Sequence, residues 1–315
     1  MVNDMIKLQI GGSPCTYWSI AQTRNRETEP SGMGWELFEN YLIALAKFSP
    51  NFFLYENNKS MSAAIRAEIT KRFGFEPVCI NSALVSAQNR QRLYWCGKRN
   101  PDGTYSAVPV KQPDDRGVML QDILESGQAW NEKSYNLTTR CCGAIPEDTI
   151  KRYRHTMVAE PVIQGVNKSR PVYEVKNGLI TINGKQYAIK LADGFYFIRK
   201  LTVTECKRLQ TVPDNYVYPV SDTQAYKMLG NGWTVDVIAY ILSHCHGIAS
   251  DPLDVLSMYD GMACGHIALD KLGAHITRYR AFEIDKYAIK TACHNFPDIE
   301  QIGDAFQVRE PNWKV

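Results

Sequence analysis

The stretch "DPLDVLSMYDGMACGHIALDKLG" at residues 251–273 decides how the chain folds. Its first half is an apolar run of strand length, "YDGMACG" is a tight glycine turn, and the remainder has helical spacing. A strand feeding a glycine loop and then a helix lets the backbone approach a ligand closely. About twenty residues on, "RYRAFEID" (278–285) is a strand ending in Glu283 and Asp285, and an acid at that place can grip the hydroxyl pair of a ribose. One strand further, "IGDAF" (302–306) brings Asp304 to the same edge of the sheet. This order suits a nucleoside cofactor at a topological switch point. An ordinary strand–helix connection would read the same by itself, and the loop departs from GxGxxG, which disfavours a dinucleotide.

The same alternation runs through the N-terminal part. "MIKLQI" is a strand closed by Gly11 and Gly12, and residues 16–34 read as a long, polar, mobile loop ending in glycine. From Trp35, apolar residues Leu37, Phe38, Tyr41, Leu42, Leu45 and Phe48 recur at helical spacing until Pro50. "NFFLYE" (51–56) is a strand, Ser62–Phe73 a helix with a serine cap, and "EPVCINSALVS" (76–86) is extended. Strands alternating with helices predict βαβ units and a parallel sheet. Between about Gly97 and Ile198 the alternation fails. There "VYEVKNGLITINGKQYAIKL" (172–191) has period-two stretches broken by Asn177-Gly178 and Asn183-Gly184, pairs that favour tight hairpins. Residues 98–198 therefore read as a small antiparallel lobe inserted into the sheet domain, with the basic "KRYRH" (151–155) just upstream of the meander. After it come the helices "TVTECKRLQ" (202–210), with a threonine cap, "WTVDVIAYILSHC" (233–245) and "KYAIKTACHNF" (286–296).

Bulk properties narrow the possibilities. The 315 residues, 44% hydrophobic and 22% charged, make an ordinary globular composition with room for a sizeable core. No apolar run is long enough to span a bilayer, and "MVNDMIKLQI" lacks the order of a signal peptide. Nine scattered cysteines, an odd number, argue against a disulfide framework and for a reducing, cytoplasmic setting. The net charge of +3 permits a polyanionic partner without arguing for one. Cys141-Cys142 and "HCH" (244–246) lack the paired spacing of a zinc site, so no metal is expected.

Three candidates carry chemistry at the N-terminal strands. Cys15, in "GGSPC" (11–15), taken by itself reads more readily as structural filler than as a ligand or nucleophile, and reactivity would require a thiolate in a polar, partly exposed setting. Glu56 closes the second strand, which in a parallel sheet reaches the same carboxyl edge as Cys15. In "QNRQR" (88–92), Gln88, Arg90 and Arg92 alternate, so an extended segment would point two guanidiniums one way, toward a phosphate, a carboxylate or plain solvent.

Taken together, "GGSPC", "YENNKSM", "QNRQRLYW", "RKLTVTECKRLQTVP", "MLGNGWTVDVI", "DVLSMYDGMACG", "FEID" and "GD" resemble, segment by segment, the motif set of the C5-cytosine DNA methyltransferases. The wording of the glycine loop and of "GGSPC" is closest to the vertebrate de novo group. The resemblance covers most of the chain outside 98–198. It implies an α/β fold: a Rossmann-like S-adenosylmethionine-dependent methyltransferase sheet with helices on both faces, plus a small, mostly β, target-recognition lobe. In most of the family the cofactor loop precedes the Pro-Cys loop, whereas here it follows, so the resemblance implies circular permutation. Residues 1–97 would be the catalytic half, 98–198 the recognition lobe, 199–250 the return to the catalytic domain and 251–315 the cofactor half.

The resemblance also implies roles. Cys15 would add to C6 of a flipped-out cytosine, Glu56 would hold the N3 and N4 edge of the base, Arg92 would hold the base edge and Arg90 would support Glu56 or the backbone, the two arginine roles being open to exchange. S-adenosylmethionine would sit against Tyr259, Asp260, Gly261 and Cys264, with Glu283 on its ribose, Ile284 against adenine and Asp304 on the adenine amine. Asn231 and Trp233 would close the site. Arg24 and Arg26 in a lid-like loop, with Arg140, Lys151, Arg152, Arg154 and His155 of the lobe, would meet double-stranded DNA. A cognate restriction endonuclease is a further expected partner. Two departures stand out: Ala263-Cys264-Gly265 where many members have a glycine pair, and "ENN" where ENV is frequent. One branch of the family modifies transfer RNA, which keeps an RNA substrate as a second expectation. A catalytically silent homologue is a third, against which the retained Cys15, Glu56 and cofactor acids speak.

Overall fold

A computed structural model describes residues 5–20, 24–139, 141–152, 154–162 and 171–314. In chain order the elements begin with β1 (Ile6–Gly11), α1 (Met33–Phe48), β2 (Phe52–Asn58), α2 (Ala63–Phe73), β3 (Val78–Asn81), β4 (Gln91–Arg99) and β5 (Tyr105–Ala107). They continue with α3 (Pro146–Arg152), β6 (Met157–Pro161), β7 (Val172–Lys176), β8 (Leu179–Ile182), β9 (Lys185–Ala188) and β10 (Gly194–Lys200). The last are α4 (Val203–Leu209), α5 (Asp222–Asn231), α6 (Val235–Leu242), β11 (Pro252–Met258), α7 (Cys264–Lys271), β12 (His275–Phe282), α8 (Lys286–Asn295) and β13 (Glu300–Gly303).

The first compact unit spans Met1–Asn81, Gln91–Pro113 and Val235–Val315. Its sheet runs β13-β12-β11-β1-β2-β4-β3, with β5 paired to β4. Strands β13, β12, β11, β1 and β2 are parallel neighbours, as βαβ alternation dictates. β4 is the exception to the expected parallel sheet: it pairs antiparallel with both β2 and β3. No crossover helix separates β3 from β4, and a connection without one returns a strand in the opposite sense. The extended reading of 76–86 shrinks to the four residues of β3, because Ser82–Leu84 turn into a 3-10 helix.

Alternation along β1 places helices on both faces of the sheet. Gln9 Nε2 donates to the Tyr41 carbonyl of α1 at 3.0 Å, while the next residue, Ile10, faces the other way and meets α7 so closely that a Cβ on Gly265 would fall 2.1 Å from its Cδ1. On the α1 face Phe38, Tyr41 and Phe48 join Ile65, Ile69 and Phe73 of α2 and Tyr55, Trp95, Met258 and Phe282 of the strands in one buried cluster. Helix α1 stops where the sequence says it should, with Ser49 in the left-handed region before Pro50. Ser62 caps α2, its Oγ accepting from Ile65 N at 3.2 Å.

The second compact unit spans Ser82–Arg90 and Asp114–Thr234. Its five-stranded antiparallel sheet has the order β6-β10-β7-β8-β9. The two Asn-Gly pairs make the expected hairpins, with φ of 53° and 71° at Asn177 and Gly178 and of 50° and 74° at Asn183 and Gly184. The unit is displaced from the predicted lobe of 98–198: residues 98–113 belong to the first unit, while Ser82–Arg90 and, after residue 198, α4 and α5 belong to the second. A buried ion-pair network draws α4 in. Glu205, its side chain fully buried, accepts from Arg199 Nη1 and Nη2 of β10, both at 2.8 Å, and Arg199 Nε also reaches Glu160 of β6 at 2.7 Å. The same carboxylate closes a capping box with Thr202.

Candidate active site

In the first unit the chain proceeds from β1 to β2 in one direction across the sheet and from β11 to β12 and β13 in the other, while β1 and β11 lie side by side. The gap beyond the carboxyl ends of β1 and β11 is therefore the switch point at which open α/β sheets bind ligands. Five predicted segments end there: the Pro14-Cys15 turn after β1, Glu56 near the end of β2, the glycine loop after β11, Glu283 after β12 and Asp304 after β13.

The turn bearing Cys15 is fixed to the end of β2. Gly12 is needed for this approach, since a Cβ on it would lie 2.5 Å from the Glu56 carbonyl oxygen and 3.1 Å from Glu56 Oε2. Ser13 Oγ and Tyr55 OH share a hydrogen bond of 2.7 Å, and Asn57 Nδ2 donates to the Ser13 carbonyl at 3.1 Å. Burial pushes the Tyr55 phenol well above its ordinary pKa, so it stays neutral. Cys15–Tyr17 then form a short 3-10 turn. On the other face of β2, Glu56 Oε1 lies 3.1 Å from Arg92 Nε of β4, with both side chains largely shielded at 12% and 13% exposure. Arg92, given the base edge in the sequence reading, is thus the arginine paired with Glu56, the place expected for Arg90. Arg90 belongs to the second unit, where its guanidinium donates to Asn136 Oδ1 and to the carbonyls of Leu137, Gly230 and Gly232. It ties backbone segments of that unit together.

The loop after β11 is built from left-handed backbone. Tyr259, Gly261 and Ala263 have φ of 61°, 61° and 60°, a conformation that costs a non-glycine residue roughly 1 kcal/mol or more. The contorted loop turns Gly261 N toward Glu283 Oε2 at 2.8 Å, while Glu283 Oε1 accepts from the amides of Ile284 and Asp285 at 2.7 and 2.8 Å. Glu283 is thereby held rigidly with lone pairs remaining on its oxygens. Tyr259 donates to the Leu37 carbonyl at 2.6 Å, and Cys264 is buried at the start of α7. Asp260 is buried, accepting from Ser257 Oγ at 2.6 Å and Tyr279 OH at 2.7 Å, and burial lifts its pKa to about 6. Ile284 is 74% exposed beside Glu283, and Asp304 is exposed, with Oδ1 capping the turn that follows β13 through Phe306 N at 2.9 Å.

These residues fit an adenosyl ligand. Open space surrounds the position a Cβ would take on Gly261, a pinned carboxylate stands beside it, and an apolar side chain and a second acid lie exposed on the adjoining strand ends. Asn231 and Trp233 fall in the second unit, at the end of α5 and just after it.

The predicted DNA contacts divide. Arg24 is exposed, but Arg26 turns inward, donating to the Trp18 and Ser60 carbonyls at 3.2 and 2.6 Å. In the lobe Lys151 pairs with Glu147 one helical turn away and sits over the Tyr187 ring, Arg152 and Arg154 are exposed, and His155 is half-buried. Arg140 lies outside the described residues. Among the described residues no three His, Cys, Asp or Glu side chains group to hold a metal, and no helix is long and apolar enough to cross a membrane.

Several residues at the site escaped sequence reasoning: Ser13, Tyr55 and Asn57, which anchor the turn before Cys15, and Glu27, whose carboxylate accepts from Trp18 Nε1 at 3.0 Å and from Gly34 N. The period-two spacing of Tyr55 and Asn57 on β2 is the one signal that could have paired them on a common face.

Comparison with known proteins gives the assignment. The family model described as C-5 cytosine-specific DNA methylase matches residues 2–247. The type II methyltransferase M.FnuDI of Fusobacterium nucleatum is 26% identical over 260 residues, covering 74% of this chain and 74% of that protein. M.HpaII of Haemophilus parainfluenzae is 27% identical over 256 residues, covering 72% and 68%. M.SsoII of Shigella sonnei is 55% identical over 249 residues, covering 74% and 62%. With a family model matching well over half of its length and five of the expected segments ending at one sheet edge, the chain belongs to the C-5 cytosine-specific DNA methylases and is a DNA cytosine-5-methyltransferase.

Proposed function

We propose that the protein methylates C5 of a cytosine flipped out of a specific duplex DNA sequence, through a covalent bond between Cys15 and C6 of the base. The observation that carries this reading is the seating of the Cys15 turn on the end of β2, where Gly12 lies against Glu56 and Arg92 holds the Glu56 carboxylate. Carbon 5 of cytosine is a poor nucleophile. A thiolate of Cys15 adding to C6 makes it an enamine carbon, and Glu56, hydrogen-bonded to the N3 and N4 edge, favours the protonated ring that accepts the thiolate. Arg92 keeps Glu56 oriented toward the base. S-adenosylmethionine, when bound, supplies the methyl group as an electrophile and leaves as S-adenosylhomocysteine. Glu283 would bind its ribose, Ile284 and Asp304 its adenine, and Tyr259, Asp260, Gly261 and Cys264 shape the cradle; Asn231 and Trp233 are proposed to complete it. Loss of the C5 proton and of the Cys15 sulfur restores the aromatic ring.

Extracting the base costs roughly a few kcal/mol. Arg24, Arg140, Arg152 and Arg154, with Lys151 once released from Glu147, would offset it through phosphate contacts. The placement of the cofactor loop after the Pro14-Cys15 turn supports a circularly permuted order. The type II designation of the relatives supports a restriction–modification setting with a cognate endonuclease. The test is to map methylation by bisulfite sequencing in cells expressing the protein. A 5-fluorocytosine duplex carrying the mapped site is then incubated with S-adenosylmethionine. Wild type should form a denaturation-resistant adduct and Cys15→Ala none; a Cys15→Ala protein that still methylates overturns the assignment.

A further inference from the structure

Arg26 is a cation on a loop beside a proposed DNA site, yet its guanidinium is spent on the protein. Nε donates to the Trp18 carbonyl at 3.2 Å and Nη2 to the Ser60 carbonyl at 2.6 Å. Ser60 Oγ in turn donates to Asn58 Oδ1 at 2.8 Å. Asn58, only 4% exposed, donates from Nδ2 to Asn57 Oδ1 at 3.2 Å, and Asn57 Nδ2 donates to the Ser13 carbonyl at 3.1 Å. The path therefore runs from Trp18 through Arg26, Ser60, Asn58 and Asn57 to Ser13. Ser13 and Trp18 bracket the Cys15–Tyr17 turn in sequence, so hydrogen bonds and chain together close a ring around it. Every link between the two flanks lies in residues 57–60 or in Arg26, and residues 57–60 directly follow Glu56.

We propose that Arg26, acting through Ser60 and Asn58, is a positioning residue that clamps both flanks of the Cys15 turn to the strand end bearing Glu56, and so sets the register between nucleophile and acid. The inference rests on the roles given to Cys15 and Glu56 above. The chemistry suits the residue: the planar guanidinium fork spans two carbonyls at a fixed separation, which a lysine ammonium cannot do. Asn58 stands where valine is frequent in the family, and its amide accepts from Ser60 while donating to Asn57, which a valine side chain cannot do.

The competing role is a phosphate contact, and salt dependence separates the two. Removing one phosphate contact lowers the slope of log affinity against log salt by about 1. Removing the clamp leaves that slope unchanged and slows the chemistry. Adduct formation with the 5-fluorocytosine duplex at saturating DNA is timed for wild type, Arg26→Ala, Arg26→Lys, Asn58→Val, the Arg26→Ala/Asn58→Val pair and Arg24→Ala, and binding is titrated across salt. Arg26→Ala should slow adduct formation about tenfold or more, as expected for a lost charged hydrogen bond, with the half-saturating DNA concentration and salt slope as in wild type. Arg26→Lys should resemble Arg26→Ala, because charge without the fork does not restore the clamp. Asn58→Val should slow the reaction in the same direction, and the double variant should fall short of the product of the two effects. Arg24→Ala should lower the salt slope. An Arg26→Ala protein that reacts at the wild-type rate, or loses salt slope with its rate at saturation intact, overturns the clamp. Should Arg26→Ala fail to fold, Arg26→Lys and Asn58→Val decide by the same criteria. A wild-type protein that forms no adduct overturns the reading of Cys15 instead.

Discussion

Replacing Asp260 with asparagine should change how stability responds to pH, by an amount set by its surroundings. Asp260 is buried behind the glycine loop, with Oδ1 accepting from Ser257 and Tyr279 and Oδ2 without a partner among the described residues. Burial is the main influence and lifts its pKa from 3.8 to about 6; the two hydroxyls oppose the rise, the charge of Glu283 adds to it and His266 counters it. A carboxyl with a raised pKa holds its proton more tightly in the folded state than in the unfolded chain. Below about pH 4 both states are protonated and the group has no effect. Between about pH 4 and 6 the unfolded chain ionises while the folded protein does not, so stability is lost as pH rises, and above about pH 6 the loss levels off at about 3 kcal/mol. Asp260→Asn keeps the shape and the acceptor for both hydroxyls but has no proton to lose. Urea unfolding of both proteins, followed by tryptophan fluorescence at about pH 4 and about pH 7, should show the variant gaining about 3 kcal/mol relative to wild type between the two conditions. A difference that is the same at both pH values, or that moves the other way, refutes the argument that burial governs this carboxyl.

Gly12→Ala should keep the fold but slow adduct formation at least about tenfold, because the added Cβ meets the Glu56 carbonyl oxygen and must push the Cys15 turn off β2; a strain cost of about 1–3 kcal/mol should show in the melting curve, and a wild-type reaction rate would contradict the proposal. Glu205→Gln should destabilise by about 3 kcal/mol, since it removes the fully buried one of the two carboxylates paired with the largely buried Arg199. Arg278→Ala, which breaks a half-exposed pair with Glu300, should cost under about 1 kcal/mol, and equal costs for the two would refute the burial argument.

The elements legible in the sequence are those whose period matches their environment. The α1 stripe from Trp35 to Phe48 faces one core, and the Asn-Gly turns of β7–β9 admit only one local conformation, so both follow from neighbours in the chain. The reversal of β4 did not follow, because period-two alternation is blind to strand direction. The outer limit of the second unit was missed for a related reason: Arg199 and Glu205 are six residues apart, but it is the pairing of Arg199 with both Glu160 of β6 and Glu205 that ties α4 to that unit's sheet. At the site, strand-end positions put Cys15, Glu56, Glu283 and Asp304 on one edge from sequence alone. What stayed hidden was how each polar group spends its hydrogen bonds. Arg24, Arg26, Arg90 and Arg92 look alike in the sequence, yet Arg26 and Arg90 serve backbone carbonyls, Arg92 serves Glu56 and Arg24 faces solvent.

The central position of β1 has a consequence for biosynthesis. One of the two neighbours of residues 6–11 is residues 253–258, so β1 lies with an open edge while the long stretch between the two strands is translated. At about 5–20 residues per second that wait is on the order of ten seconds or more, long compared with hairpin or helix formation. A nascent chain stalled before β11 would present Leu8 and Ile10 on an unpaired strand, a template for association with other nascent chains. Productive folding of this unit must therefore await the synthesis of β11, and ribosome-bound intermediates are where chaperone dependence should be sought.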